Sequence, residues 1–216
     1  MIGGAHGWTG LLLALLTWCE CTGQELPDDV QTRLQQLAKI GKQHDQLMAW
    51  PRKKEPGRRT ADWLSSWCNG SAGLVPLWTT AWRLLRDNNY LELAALSAAH
   101  AEHGVPHRYA SVCCGLAGRS YALLDLYSNT NDSSWLRRAE QMANAALEDN
   151  TIDHRPWSLF KGRLGVALLI EELKAPDQAG VPLYGYRPKP HERNRASERF
   201  TNYKNKEIYR GSHKNI

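Results

Sequence analysis

The sequence predicts an all-α fold of stacked helical hairpins, and three observations carry that reading. A Gly-x-x-Gly motif occurs four times, at Gly7/Gly10, Gly70/Gly73, Gly115/Gly118 and Gly162/Gly165, each followed at once by an apolar run of helical length. The first glycines lie 63, 45 and 47 residues apart, a period near 45 with one insertion, as in arrays of similar supersecondary units. Between the motifs lie amphipathic stretches of helical period, and no strand pattern persists beyond a few residues. The unit is an outer amphipathic helix, a loop, the glycine turn and an apolar inner helix. Such units stack into an open solenoid or a closed ring.

Taken in order, Ala5–Trp18 is the first glycine turn and inner helix. Its core, Trp8–Trp18, has the length of a signal-peptide apolar segment. No basic leader precedes it, no small-x-small site follows, and it is far short of the roughly 20 apolar residues of a membrane span. Its likeness to the internal apolar runs makes it a buried helix. Cys19–Leu26 reads as a loop. Pro27–Leu47 begins as a helix: Pro27 suits a first turn, and Asp28 and Asp29 suit the positive end of the helix dipole. Val30, Leu34, Leu37 and Ile40 share a face, and Gly41 ends or weakens the helix. Met48–Thr60, with its PRKKEPGRR run, is a basic insertion that lengthens the first period.

Asp62–Trp67 leads into the second turn, whose helix places Leu74, Leu77, Trp78 and Trp82 on one side. Asn88–His100 is alanine-rich and a good helix former. After Gly104-Val105-Pro106 comes the third turn, with a helix from Arg119 to about Tyr127. Asn131-Asp132-Ser133 caps a helix over Ser134–Leu147, with Leu136, Ala139, Met142 and Ala146 on its apolar side. Asn150–Pro156 is a loop, followed by the fourth turn and a helix over Val166–Lys174. Ala175–Tyr186, rich in proline and glycine, closes the ordered region. This gives one domain over 1–185, with a basic insertion at 48–60, and a basic, disordered tail over 186–216.

The chain has 216 residues, 42% of them apolar, enough for one domain or part of a larger one. Its net charge of +5 sits mainly in Pro51–Arg59 and the tail. These runs read as solvated loops and ends, which argues against nucleic-acid binding, and no segment spans a membrane. Five cysteines, an odd number, lack the pattern of a disulfide scaffold, which indicates a reducing, cytoplasmic compartment.

The residues just before the first glycines differ: His6; Cys68 with Asn69; Cys113 with Cys114; Phe160 with Lys161. Inner-helix N-termini that gather on one face bring His6, Cys68, Cys113 and Cys114 into one neighbourhood. Three thiols in matching slots suit Zn²⁺, which takes thiolates in tetrahedral geometry and, at catalytic sites, keeps a position open beside three protein ligands. Helix N-termini favour the thiolate form. A three-thiolate site carries one net negative charge, so a bound substrate thiolate would be more electron-rich there than on a neutral site. Blander readings stay open. The adjacent cysteines could be packing residues or an oxidised pair, and His6 an ordinary surface or core histidine. Cys19 and Cys21 fall in the wrong slot and read as structural. His100, His103 and His107 precede the turn, in helix-end and loop positions, and do not read as ligands.

The four stretches AHGWTGLLLAL, SWCNGSAGL, SVCCGLAGRSYALL and SLFKGRLGVALL together resemble the lanthionine synthetase C-like family, the LanC-type lanthipeptide cyclases, over Ile2–Gly185. The resemblance implies an α/α toroid of about six or seven helical hairpins whose inner ring holds a catalytic zinc. It implies addition of a peptide cysteine thiol to dehydroalanine or dehydrobutyrine, forming a thioether (lanthionine) ring in a dehydrated precursor peptide. Eukaryotic relatives instead bind glutathione and add it to dehydrated residues. By motif, the zinc ligands are Cys68, Cys113 and Cys114, although the family more commonly has Cys-His-Gly where this chain has Cys113-Cys114-Gly115. His6 matches the histidine that moves the proton. Asn69 stands where many members have tyrosine or histidine, and Leu64 where some have an active-site arginine.

The resemblance also leads one to expect two or three hairpins, and an aspartate, before the histidine motif, with which this chain almost opens. Four inner helices do not close such a ring. The expected molecule is the C-terminal half or so of a zinc-dependent cyclase, truncated or completed by a partner chain. The alternatives are a non-catalytic module binding zinc, glutathione or a peptide, and a helical-repeat scaffold without metal.

Overall fold

The computed structural model describes residues 1–53, 63–104, 109–149 and 156–182. Among the described residues the helices are α1 (Trp8–Thr22), α2 (Val30–Ile40), α3 (Val75–Leu85), α4 (Asn88–His103), α5 (Leu116–Thr130), α6 (Ser133–Glu148) and α7 (Arg163–Glu172). A small antiparallel hairpin, β1 (Lys42–His44) and β2 (Leu47–Ala49), follows α2. Short 3₁₀ turns lie at Ser71–Gly73 and Pro176–Gln178. The predicted alternation holds. α1 packs on α3, α3 on α5 and α5 on α7, while α4 covers α3 and α5, and α6 covers α5 and α7. Each unit touches its neighbours, as in a repeat protein.

The four glycine turns are built alike. The N–H after each first glycine bonds to the carbonyl six residues before that glycine: Trp8 to Met1 at 3.3 Å, Ser71 to Leu64 at 3.1 Å, Leu116 to Tyr109 at 3.1 Å and Arg163 to Pro156 at 3.0 Å. The first glycines are extended, with φ from −145° at Gly7 to −118° at Gly115, so none is needed for a left-handed turn. Close approach is the reason for glycine. A Cβ on Gly115 would collide with the Tyr109 carbonyl, and one on Gly118 with the Val112 carbonyl and the Trp67 side chain.

Several boundaries differ from the sequence reading, each for a physical reason. α1 runs on to Thr22 and stops at Gly23, whose φ of 68° suits glycine, so Cys19 and Cys21 close the helix rather than sit in a loop. Leu12, Leu16 and Cys19 are buried at helical spacing, and their burial extends the helix past Trp18. The expectation that α1 is a buried helix is corrected on one side, where Trp8, Leu11 and Trp18 are exposed. α2 begins at Val30, because Pro27–Asp29 forms a turn in which the Val30 N–H bonds to the Pro27 carbonyl at 3.0 Å. Gly41 ends α2 as expected, in extended geometry.

The hairpin after α2 has three-residue strands with polar residues on β1, too short for a period to show. Asp45 makes its turn at φ 52°. Trp50, just beyond it, is fully buried. Its indole N–H donates to the Leu37 carbonyl at 2.9 Å, and its ring lies 5.8 Å from that of Trp78, which in turn stacks on Tyr90. Met48 and Trp50, at the start of the expected insertion, are therefore core. Its charged part at 54–60, the stretch 105–108, most of the loop at 150–156 and the tail 186–216 lie outside the described residues. The predicted cap of α6 is present: the Asp132 carboxylate accepts the Ser134 N–H at 2.8 Å. Among the described residues no helix is long and apolar enough to cross a membrane.

Candidate functional site

The turns are tied side by side by one recurring hydrogen bond. The residue two before each first glycine donates its N–H to the carbonyl of its counterpart in the next turn: Ala5 to Cys68 at 3.0 Å, Cys68 to Cys113 at 3.2 Å and Cys113 to Phe160 at 2.7 Å. A separation of some 45 residues in sequence thus becomes contact in space. Trp67 stacks on Phe160 at 5.5 Å, a contact from the second turn to the fourth that passes the third.

Register then brings the thiols together. Cys68 Sγ lies 3.6 Å from Cys114 Sγ, which lies 3.5 Å from Cys113 Sγ, and all three sulfurs fall within 4.8 Å of one another. Cys68 is buried, Cys113 half-buried and Cys114 open to solvent. Zn–S bonds of about 2.3 Å in a tetrahedron require sulfurs about 3.8 Å apart, so the cluster fits a zinc ion. The sulfurs of Cys113 and Cys114 stand just before the first residue of α5, at the positive end of that helix's dipole, and that of Cys68 just before the 3₁₀ turn at Ser71. The cluster has its own second layer. Asn69 Nδ2 donates to Cys68 Sγ at 3.4 Å, and Ser66 Oγ lies 3.7 Å from the same sulfur.

The three thiols share their protons unequally. Hydrogen bonds from Cys113, then Cys114, hold the Cys68 thiol far below the usual thiol range against the opposing effect of burial, with Ser66 and Asn69 assisting. Cys113 is held above its ordinary value by its hydrogen bonds to Cys114 and Cys68, and by burial. Cys114 is pushed up to about 11: its bond with Cys113 favours the thiolate, but Cys68 and burial outweigh it, with Lys161 acting the other way. Of the three, Cys68 is the thiol whose surroundings favour the thiolate. A bound divalent ion would release the remaining protons.

The other singled-out residues fall elsewhere. His6 is exposed and outside the sulfur cluster. It stands on the adjoining turn, where Gly3 packs against the backbone of Cys68 and Asn69. His100 is buried in α4 with Nδ1 2.8 Å from Ser71 Oγ, so it braces the second turn, and burial followed by the Arg119 charge lowers its pKa. His103 lies in the last turn of α4 beside Glu102, and His107 is outside the described residues. Cys19 donates to the Glu25 carbonyl at 3.7 Å from the end of α1 remote from the cluster. All five cysteines are free thiols. Leu64 contributes its carbonyl to the second turn. Two residues gain importance over the sequence reading: Asn69, as a donor to a sulfur, and Lys161, whose charge reaches Cys114. Their shared slot with Cys114, one before the glycine, was the available signal.

Comparison with known proteins agrees with this geometry. The zebrafish (Danio rerio) protein named glutathione S-transferase LANCL1 is 30% identical over 129 residues, which is 57% of this chain and 32% of that protein. The solved structure of nisin cyclase superposes with a TM-score of 0.65 at 14% identity, covering 92% of this chain and 50% of the cyclase. This likeness shows an α/α-toroid fold. The chain spans about a third of the first relative's length and half of the second's. A family model described as lanthionine synthetase C-like protein matches residues 1–184, and the chain belongs to that family.

Proposed function

We propose that this chain carries the zinc-binding part of a thioether-forming site, acting as a lanthipeptide cyclase when its ring is completed, by an N-terminal part or by a partner chain. The observation that carries the reading is the meeting of Cys68, Cys113 and Cys114, drawn from two repeats, within 4.8 Å. These cysteines would hold the ion, with Asn69 and Ser66 orienting Cys68. Zn²⁺, when bound, supplies the positive charge that keeps a substrate thiol deprotonated near neutral pH. His6, exposed on the adjoining turn, takes the proton from the incoming thiol and returns it to the substrate. The thiol sulfur bonds to the β-carbon of a dehydroalanine or dehydrobutyrine, the carbon–carbon double bond is lost, and the α-carbon gains the proton. No oxidant or reductant enters.

The likeness to nisin cyclase favours a dehydrated, cysteine-containing precursor peptide as substrate, and the relative named a glutathione S-transferase makes glutathione the alternative thiol. The free thiols fit a cytoplasmic setting. A second reading, a non-catalytic module that binds zinc, glutathione or a peptide, is favoured by the position of His6 outside the sulfur cluster.

Mass spectrometry tests the choice. Zinc-loaded protein is incubated with a dehydrated precursor peptide, or with glutathione and a dehydroalanine peptide, and thioether formation is followed. Product that is lost in His6→Ala while the metal stays bound supports the enzyme. Metal binding without product in wild type leaves the binding module.

A further inference from the structure

We infer that Lys161 is the charge-balancing residue of the metal site, placed to offset the negative charge that the third cysteine adds. This role rests on the zinc site proposed above. Three thiolates around a divalent ion leave one net negative charge, whereas a neutral ligand in any of the three places would leave none. The site therefore carries a charge in a partly buried setting, where an unbalanced charge is costly. Asn69 and Ser66, the polar groups on the Cys68 sulfur, are neutral and offset none of it.

The fourth glycine turn brings a cation to this place. The Cys113 N–H donates to the Phe160 carbonyl at 2.7 Å, so Cys114 and Lys161, each one residue further on, occupy matching slots of adjacent turns. Two contacts fix that stretch of the fourth turn. The Phe160 ring stacks on Trp67 at 5.5 Å, and the Lys161 N–H donates to Ser158 Oγ at 3.1 Å. The Lys161 charge favours the Cys114 thiolate. Two nearby arginines act elsewhere: Arg119 of α5 bears on His100, and Arg163 of α7 reaches the Asp149 carbonyl at 3.4 Å. Among the described residues, Lys161 is the cation whose charge acts on the three thiols. The junction concerned lies between α5 and α7, with both turns present in the chain.

A fixed positive charge beside Cys114 lowers the cost of gathering three thiolates around one ion. It also lowers the cost of admitting a fourth from a substrate thiol, which would bring the total to two negative charges. An ammonium has no lone pair, so Lys161 does not bind the ion. It acts through Cys114, as a positioning residue whose contribution is its charge. Arginine keeps that charge and glutamine removes it at similar length.

Zinc affinity of the purified 216-residue chain, measured by chelator competition at one fixed pH, tests the role. At low salt Lys161→Gln should weaken binding about tenfold, and Lys161→Arg should stay near wild type. Added salt should narrow the gap. In a Cys114→His background the Lys161→Gln effect should shrink to about twofold or less, because the charge it balances is gone. Cobalt(II) in place of zinc reports the ligands through its sulfur-to-metal charge-transfer absorption, which Lys161→Gln should leave in place. Equal loss in both backgrounds, or a Lys161→Arg chain as weak as Lys161→Gln, would overturn the proposal by showing a structural role. So would a Lys161→Gln chain that binds zinc as tightly as wild type. Wild type without thiolate-to-cobalt absorption would overturn the zinc site itself, and this role with it.

Discussion

The backbone N–H of Cys68 donates to the carbonyl of Cys113 at 3.2 Å, and this bond sets the register that places the Cys68 and Cys114 sulfurs 3.6 Å apart. Backbone pairing between equivalent residues of successive turns aligns the repeats, and the side chains one slot along follow. The site is thus a by-product of the repeat: any residue in the two slots before a first glycine is delivered to the same rim.

Asn69 gives the first test of that rim. Its amide donates to Cys68 Sγ at 3.4 Å, so Asn69→Ala removes an orienting bond and leaves the ligands in place. Metal affinity, measured by chelator competition, should fall about 10- to 100-fold, with thermal stability of the metal-free protein nearly unchanged.

Gly118→Ala tests the close approach of the third turn. The new methyl would meet the Val112 carbonyl and the Trp67 side chain, next door to two of the three cysteines. A stability loss of about 1–3 kcal/mol is expected in denaturant melts, with weakened metal binding alongside.

His100 makes stability depend on pH. Burial and the Arg119 charge lower its folded pKa below the ordinary histidine value of 6.5, so the folded protein favours the neutral ring. The unfolded chain then binds more protons as pH falls through 6.5, and stability drops until the folded pKa is reached. From this group alone the slope is at most about 1.4 kcal/mol per pH unit. Urea titrations between pH 7.5 and 5 should show the decline, and His100→Gln should flatten it.

The sequence made the four turns and the thiol cluster legible because glycine spacing and cysteine slots repeat, and a repeat converts sequence register into spatial neighbourhood. Val30, Leu34 and Leu37 were legible for the same kind of reason, a helical period that ends buried. Other features depend on neighbours, about which a local pattern is silent. α1 reads as buried because its sequence is apolar nearly all round, yet Trp8 and Leu11 are exposed. The β1–β2 hairpin is too short to show a period, and Trp50 lies beside a basic run that masks its place in the core. Asn69 carries no ligand chemistry of its own in the sequence, and its bond to Cys68 Sγ emerges only from the fold.

The central claim is that Cys68, Cys113 and Cys114 form a zinc site. Its most direct test is the metal content of the purified, reduced 216-residue protein, compared with the Cys113→Ala/Cys114→Ala variant by elemental mass spectrometry. About one zinc per chain in wild type and almost none in the folded variant is the expected result. Folded wild type without zinc, or a variant that keeps it, would contradict the claim.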